Sequence, residues 1–227
     1  MSNTIAHLAV AREILLQSPA LVTDEHAYYL GALAPDTISS KPGCLREDKK
    51  YVHLRQDIRD ADWLTEEKMS LFQSRIAEFA ENHIQNNPDS ARRDFAVGYL
   101  VHLLTDKWNH KTIRQQMLMI ANGRGVQETD RAFFHMMTND LEALDQYLLT
   151  RHPQLRQLFA DLTGTPVTVS LPGYIETEYL QASIQWWQTT YLPNIQARKL
   201  LYISTPDIDT FVELSSREIL RELLPLL

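Results

Sequence analysis

Apolar residues recur every three to four positions along most of the chain, the period of a helix packed on one face. In residues 4–17 the stripe is Ile5, Leu8, Ala9, Ile14 and Leu15, with Asn3 or Thr4 as candidate cap and Pro19 beyond the end. Residues 24–34 (DEHAYYLGALA) predict a second helix. Asp24 and Glu25 suit its positive N-terminal end, and Pro35 is the expected stop. Residues 65–85 place Leu71, Phe72, Ile76, Phe79 and Ala80 on one face and end at Asn86-Asn87-Pro88. A central helix then starts at Asp89 or Ser90 and reads as continuous to about Ile120, before the break at Asn122-Gly123-Arg124-Gly125.

Further helices are predicted over 127–150 (stripe Phe133, Phe134, Met137, Leu141, Leu144, Leu148), 154–162, 174–191 (Tyr174, Tyr179, Trp186, Trp187, Tyr191) and 206–226 (Phe211, Leu214, Ile219, Leu223). Two segments break the pattern. Residues 37–52, with Pro42, Gly43 and the charged run from Arg46 to Lys50, read as an exposed loop that delivers His53. Within the irregular 163–173, TPVTVS is the one strand-like stretch. No repeat, low-complexity segment or linker interrupts the series. The expectation is one all-α domain of about eight helices over 1–227.

Composition narrows the function classes. Of 227 residues, 44% are hydrophobic and 22% charged, ordinary for a globular protein, and the seven glycines fit long helices with short connections. A net charge of −7 argues against a general nucleic-acid-binding surface. It leaves anionic substrates possible, because divalent ions reverse a local field. Cys44 is the lone cysteine, so neither an internal disulfide nor a cysteine-rich zinc site is available. The first residues lack the basic and apolar blocks of a signal peptide, and no run approaches a membrane span. The expectation is a soluble, cytoplasmic protein with no transmembrane segment.

The candidate chemistry centres on DFAVGYLVHLLTDKWNHKTIR, residues 94–114. It sets His102, Asp106 and His110 four residues apart on one helix face, each step rising about 6 Å. His102 and Asp106 are close enough to share one ion; His102 and His110, about 12 Å apart, are not. This spacing fits a carboxylate central to a site with more than one metal. A buried His102–Asp106 pair without metal is the competing reading, since an aspartate on an apolar face needs a partner of either kind. Elsewhere, His7 sits one turn into the first helix, Asp36 follows Pro35 after an apolar turn, His53 ends the long loop, and His135 borders an apolar stripe.

Taken together, TIAHLAVA, YLGALAPD, YVHL and GYLVHLLTDKWNH resemble the zinc-dependent phospholipase C superfamily, which includes the single-strand-specific zinc nucleases. The match spans roughly the first 140 residues and lies in the order of ligands: His, Asp, His, then a helix-borne His-x3-Asp. The resemblance implies an all-helical fold around a cluster of two or three divalent metal ions, zinc first, with Mn, Fe or Ni chemically allowed. It implies metal ligation by His7, Asp36, His53, His102, Asp106, His110 and His135, with Asp106 bridging and Asp36 also serving as base. The implied activity is hydrolysis of a small-molecule or lipid phosphoester by metal-activated water. The sequence departs from the family where a later His-x3-Glu becomes His135-x3-Asn139, with Asp140 next. The alternative reading is a non-catalytic or single-metal structural or binding protein on the same helical fold. An HD-type phosphohydrolase has no His-Asp dipeptide to support it.

Overall fold

The structure, a computed structural model, describes residues 4–195 and 198–227. Helix α1 (Thr4–Gln17) begins with an unbroken buried run from Ile5 to Ala11, so it is enclosed on all sides rather than along a stripe. Asn3, the other candidate cap, lies outside the described residues. Helix α2 (Glu25–Leu33) is capped by Asp24, which accepts a hydrogen bond from the Ala27 N–H at 2.9 Å. Pro35 does not stop the chain there. It falls in the first turn of a 3-10 segment, Ala34–Ser40, where its fixed φ is favourable and its missing N–H is not needed.

The expected loop before His53 is in part a helix, α3 (Arg46–Val52). The Asp48 side chain accepts from the Leu45 N–H at 2.8 Å and so caps its start. Only Val52 is buried, so no apolar stripe marked it in the sequence. Helix α4 (Glu66–Ala80) passes into a π turn, Glu81–Gln85. Helix α5 (Ser90–Lys111) is capped by Asp89, which accepts from the Arg92 N–H. It ends at Thr112, so the single helix expected to about Ile120 is two, the second being α6 (Ile113–Gly123).

Helices α7 (Arg131–Arg151) and α8 (Pro153–Gly164) follow. Then come α9 (Thr177–Trp186), a π turn Trp187–Tyr191 and the single turn α10 (Leu192–Asn194). The last helix, α11 (Thr205–Leu223), starts with a capping box between Ser204 and Asp207. TPVTVS forms no strand; among the described residues the only β pairing is an isolated Leu171–Ile175 bridge. The architecture is all-α around one continuous hydrophobic core. No helix among the described residues is long and apolar enough to cross a membrane.

Helix α5 is buried at every position from Asp94 to Lys107, as expected of a helix that is apolar nearly all round. It meets α2 backbone to backbone. A Cβ on Gly98 would lie 1.9 Å from the Tyr28 carbonyl oxygen, and one on Gly31 would lie 2.0 Å from that of Phe95. Glycine is required at both positions because the contact surface on each side is main chain. Buried Asp94 fixes the register: it accepts from the Thr23 N–H (2.7 Å), the Thr23 hydroxyl (2.9 Å) and the Asp24 N–H (2.8 Å). Asp145 of α7 similarly holds the start of α1, accepting from the N–H groups of Ile5 and Ala6 and from the Tyr191 hydroxyl. Burial pushes the Asp145 carboxyl up to about 7, against the pull of those hydrogen bonds.

Candidate metal centre

The α2–α5 crossing brings the chemistry of four segments to one place. His102 and Asp106 stand one turn apart on α5, His7 comes from α1, Asp36 from the 3-10 segment after α2, and His53 from the C-terminal end of α3. His53 Nε2 lies 3.4 Å from Asp36 Oδ1, 3.7 Å from Asp106 Oδ2 and 3.3 Å from His102 Nε2. His102 Nε2 is 3.9 Å from Asp106 Oδ2 and 4.0 Å from Asp36 Oδ1. His7 stacks on His102 with ring centroids 3.7 Å apart, and its Nε2 lies 3.6 Å from Asp106 Oδ1. Of the seven ligands that the resemblance implies, these five converge.

The orientation of the rings decides what they can hold. His102 Nδ1 is 2.9 Å from the Ala32 carbonyl oxygen, and His53 Nδ1 is 2.7 Å from that of Lys49. A carbonyl only accepts, so each Nδ1 must carry the hydrogen. In the neutral rings both Nε2 atoms then present lone pairs, and these face each other and two carboxylates. Lone pairs repel unless a cation lies among them. Ligand bonds of about 2.0–2.1 Å around a tetrahedral ion give ligand–ligand edges of about 3.3–3.4 Å. The observed separations run from that size, at 3.3 and 3.4 Å, to 4.0 Å, so shifts of a few tenths of an ångström would close the donors on an ion. Backbone carbonyls that fix the non-ligating nitrogen are the usual support for metal-binding histidines. The donor set of Asp36, His53, His102 and Asp106 thus fits one divalent ion.

A second position is less complete. Asp106 Oδ1 turns toward His7 while Oδ2 faces His53 and His102, so this carboxylate can bridge. His102 belongs to both geometric groups, but its single lone-pair nitrogen serves one ion. That leaves His7 and Asp106 as the firm donors for a second.

Burial favours the neutral form of His7 and His102, beside carboxylates that stay ionised. Burial lowers His7 to about 3, with neighbouring His102 adding to the effect, and burial likewise lowers His102. Burial alone would raise the two carboxyls, but the imidazoles outweigh it. A proton taken up by His102 or His53 holds Asp36, and one taken up by His7 or His102 holds Asp106, below the usual carboxylate range.

His110 and His135 do not join the cluster. His110 is buried against Trp63, ring centroids 4.9 Å apart, and burial with nearby Arg114 and Arg55 lowers it to about 4. His135 is exposed on α7, where its Nε2 accepts from Arg131 Nε at 3.1 Å. Neither belongs to a group of three or more metal-ligating side chains among the described residues. Asp140, beside the broken His-x3-Glu pattern, accepts from the backbone N–H groups of Leu201, Tyr202 and Ile203 and so secures the approach to α11.

The cluster forms the floor of a cleft of about 800 Å³ whose lining includes Asp36, His53 and Asp106. Asp36 is its most open member, with its side chain 31% exposed. Arg46, Lys49, Lys50, Arg55 and Arg114 line the same cleft, and Phe134, Met137 and Trp186 form an apolar wall. The charged run on α3, which in the sequence looked like a solvated loop, is therefore part of the site. Its signal was the i, i+3, i+4, i+7 spacing of Arg46, Lys49, Lys50 and His53. No family model, curated protein or solved structure matches this chain.

Proposed function

We propose that the chain is a metal-dependent phosphoester hydrolase, similar in ligand order to the zinc-dependent phospholipases C. The observation that carries this reading is the meeting of two lone-pair imidazole nitrogens, His53 and His102 Nε2, 3.3 Å apart between two carboxylates at the floor of a cation-lined cleft. Its nitrogen and oxygen donors suit zinc first and leave manganese, iron and nickel allowed. A divalent ion bound there supplies Lewis acidity that activates water and offsets charge on the phosphoryl oxygens.

The side chains divide the remaining work. His102, fully buried, and His53, pinned through Nδ1, are rigid donors that need no rearrangement. Asp106 offers one oxygen to each side of the cluster. Asp36, facing the cleft and ionised, is placed to accept a hydrogen bond from a water and aim its lone pair at phosphorus. The basic groups along the cleft bind the substrate's anionic oxygens.

The test is hydrolysis of generic phosphomonoesters and phosphodiesters before and after chelation, with re-addition of Zn²⁺ or Mn²⁺. The expected result is activity that disappears with the metal and returns with it. Activity that survives confirmed removal of metal would refute the metal-dependent mechanism. Metal-loaded protein inert toward every phosphoester would favour a non-catalytic, metal-stabilised protein.

A further inference from the structure

The chain carries 29 acidic and 22 basic residues, yet its cleft reverses that balance. Outside the cluster, five cations line it against Asp60 and Glu128. The acidic side chains do not neutralise all five. Arg55 pairs with Asp60, Arg46 approaches the same Asp60 at 3.7 Å, and Arg114 pairs with Glu128 at 2.6 Å. Among the described residues Lys49 and Lys50 form no ion pair. They lie on α3, one turn before His53 and on the face that lines the cleft. Three to four residues of helix correspond to about 5 Å along the axis. The Cα atoms of Lys49 and Lys50 therefore stand about 5 Å along α3 from that of His53, and both residues line the cleft onto which the cluster opens. A substrate with one phosphate, seated at the cluster, leaves them unused.

We propose that the substrate is a small organic molecule bearing at least two phosphates, and that Lys49 and Lys50 bind the second while the cluster holds the first. This rests on the phosphoester reading above. Ammonium groups suit such a site because each is a compact point charge with three donors that can follow a rotating phosphate. Phe134, Met137 and Trp186 across the cleft offer the organic part an apolar surface. Phe134 and Trp186 are about half exposed, at 49% and 50%, so they are open to such a contact.

The lysine site does not need the metal, which makes it separately testable. Calorimetric titration of metal-free protein with inorganic pyrophosphate and with orthophosphate reads it directly. Pyrophosphate is expected to bind at least about tenfold more tightly, the gain of one further charge-assisted contact. In Lys49→Gln/Lys50→Gln the preference disappears. In Lys68→Gln/Lys111→Gln, which removes equal charge outside the cleft, it stays within about twofold of wild type. Circular dichroism checks that both variants are folded. Equal binding of the two anions by wild-type protein, or equal losses in the two double variants, would overturn the proposal. Zinc binding by equilibrium dialysis on the same preparations judges the metal reading independently: no zinc uptake with an intact pyrophosphate preference sinks the hydrolase and spares the lysine site.

Discussion

Gly98→Ala is the most informative single change outside the cluster. The added Cβ would stand 1.9 Å from the Tyr28 carbonyl oxygen, against an ordinary contact of at least 3.4 Å. No side-chain rotation relieves it, because the opposing atom is main chain. The helices must separate by about 1.5 Å at that point. The same separation would stretch the bond between His102 Nδ1 and the Ala32 carbonyl, now 2.9 Å, beyond hydrogen-bonding range. Overpacking costs about 1–3 kcal/mol and a lost buried hydrogen bond about 1–3 kcal/mol. The better helix propensity of alanine returns about 1 kcal/mol. The net expectation is about 1–5 kcal/mol of lost stability by urea unfolding. It should come with weaker zinc binding in competition with a chromophoric chelator, because the ring that presents a donor is no longer held. Gly164→Ala, with open space around its Cβ, is the control and should stay within about 1 kcal/mol of wild type. A Gly98→Ala protein that unfolds with the Gly164→Ala control and binds zinc like wild type would show that the crossing neither limits packing nor positions His102.

Three further expectations follow from other contacts. Asp106→Asn keeps the shape but removes the charge that can serve two positions, so bound metal measured by plasma spectrometry should fall by at least one ion per chain; full occupancy would argue against bridging. Burial holds His110 down at about 4 in the folded chain, against an ordinary 6.5. The unfolded chain thus takes up the proton first as pH falls, and stability is lost from about pH 6.5 down to about 4, by about 2–3 kcal/mol in all. His110→Gln should flatten that part of the urea-stability profile, and an unchanged slope would contradict the burial argument. Asp94→Ala leaves three donors around Thr23 and Asp24 without their acceptor and should cost about 3 kcal/mol or more, whereas Asp89→Ala, a solvent-exposed cap, should cost about 1 kcal/mol.

The sequence disclosed those features that are written as a period along one segment. The stripes of α4, α7 and α11 and the His-x3-Asp of α5 are local, and local order survives translation into coordinates. What was hidden depends on distant partners or on shortness. Helix α3 has seven residues and one buried side chain, so composition alone resembled a loop, and its basic face became visible only once the helix was in place. The glycines at 31 and 98 are ordinary residues until their helices cross. Asp140 and Asp145 bind backbone N–H groups about 60 and 140 positions away, partners that no local pattern marks. His110 shares a helix face with His102 and Asp106, yet the backbone change at Thr112 and the packing of Trp63 gave it a different neighbourhood.

The seating of α1 has a consequence for how the chain is made. All five clustered residues are synthesised within the first 106 positions. The carboxylate that grips the start of α1 arrives at position 145, its hydroxyl partner at 191, and the α11 glutamate that ties down Lys107 and Trp108 at 222. A chain emerging N-terminus first therefore exposes an apolar helix early and completes its docking late. His7 is made before these partners, so the bridging side of the cluster is finished only after positions 145, 191 and 222 have emerged. Until then the segment from Ile5 to Ala11 can pack on α2 and α5 but lacks the α7 and α11 surfaces that complete its burial.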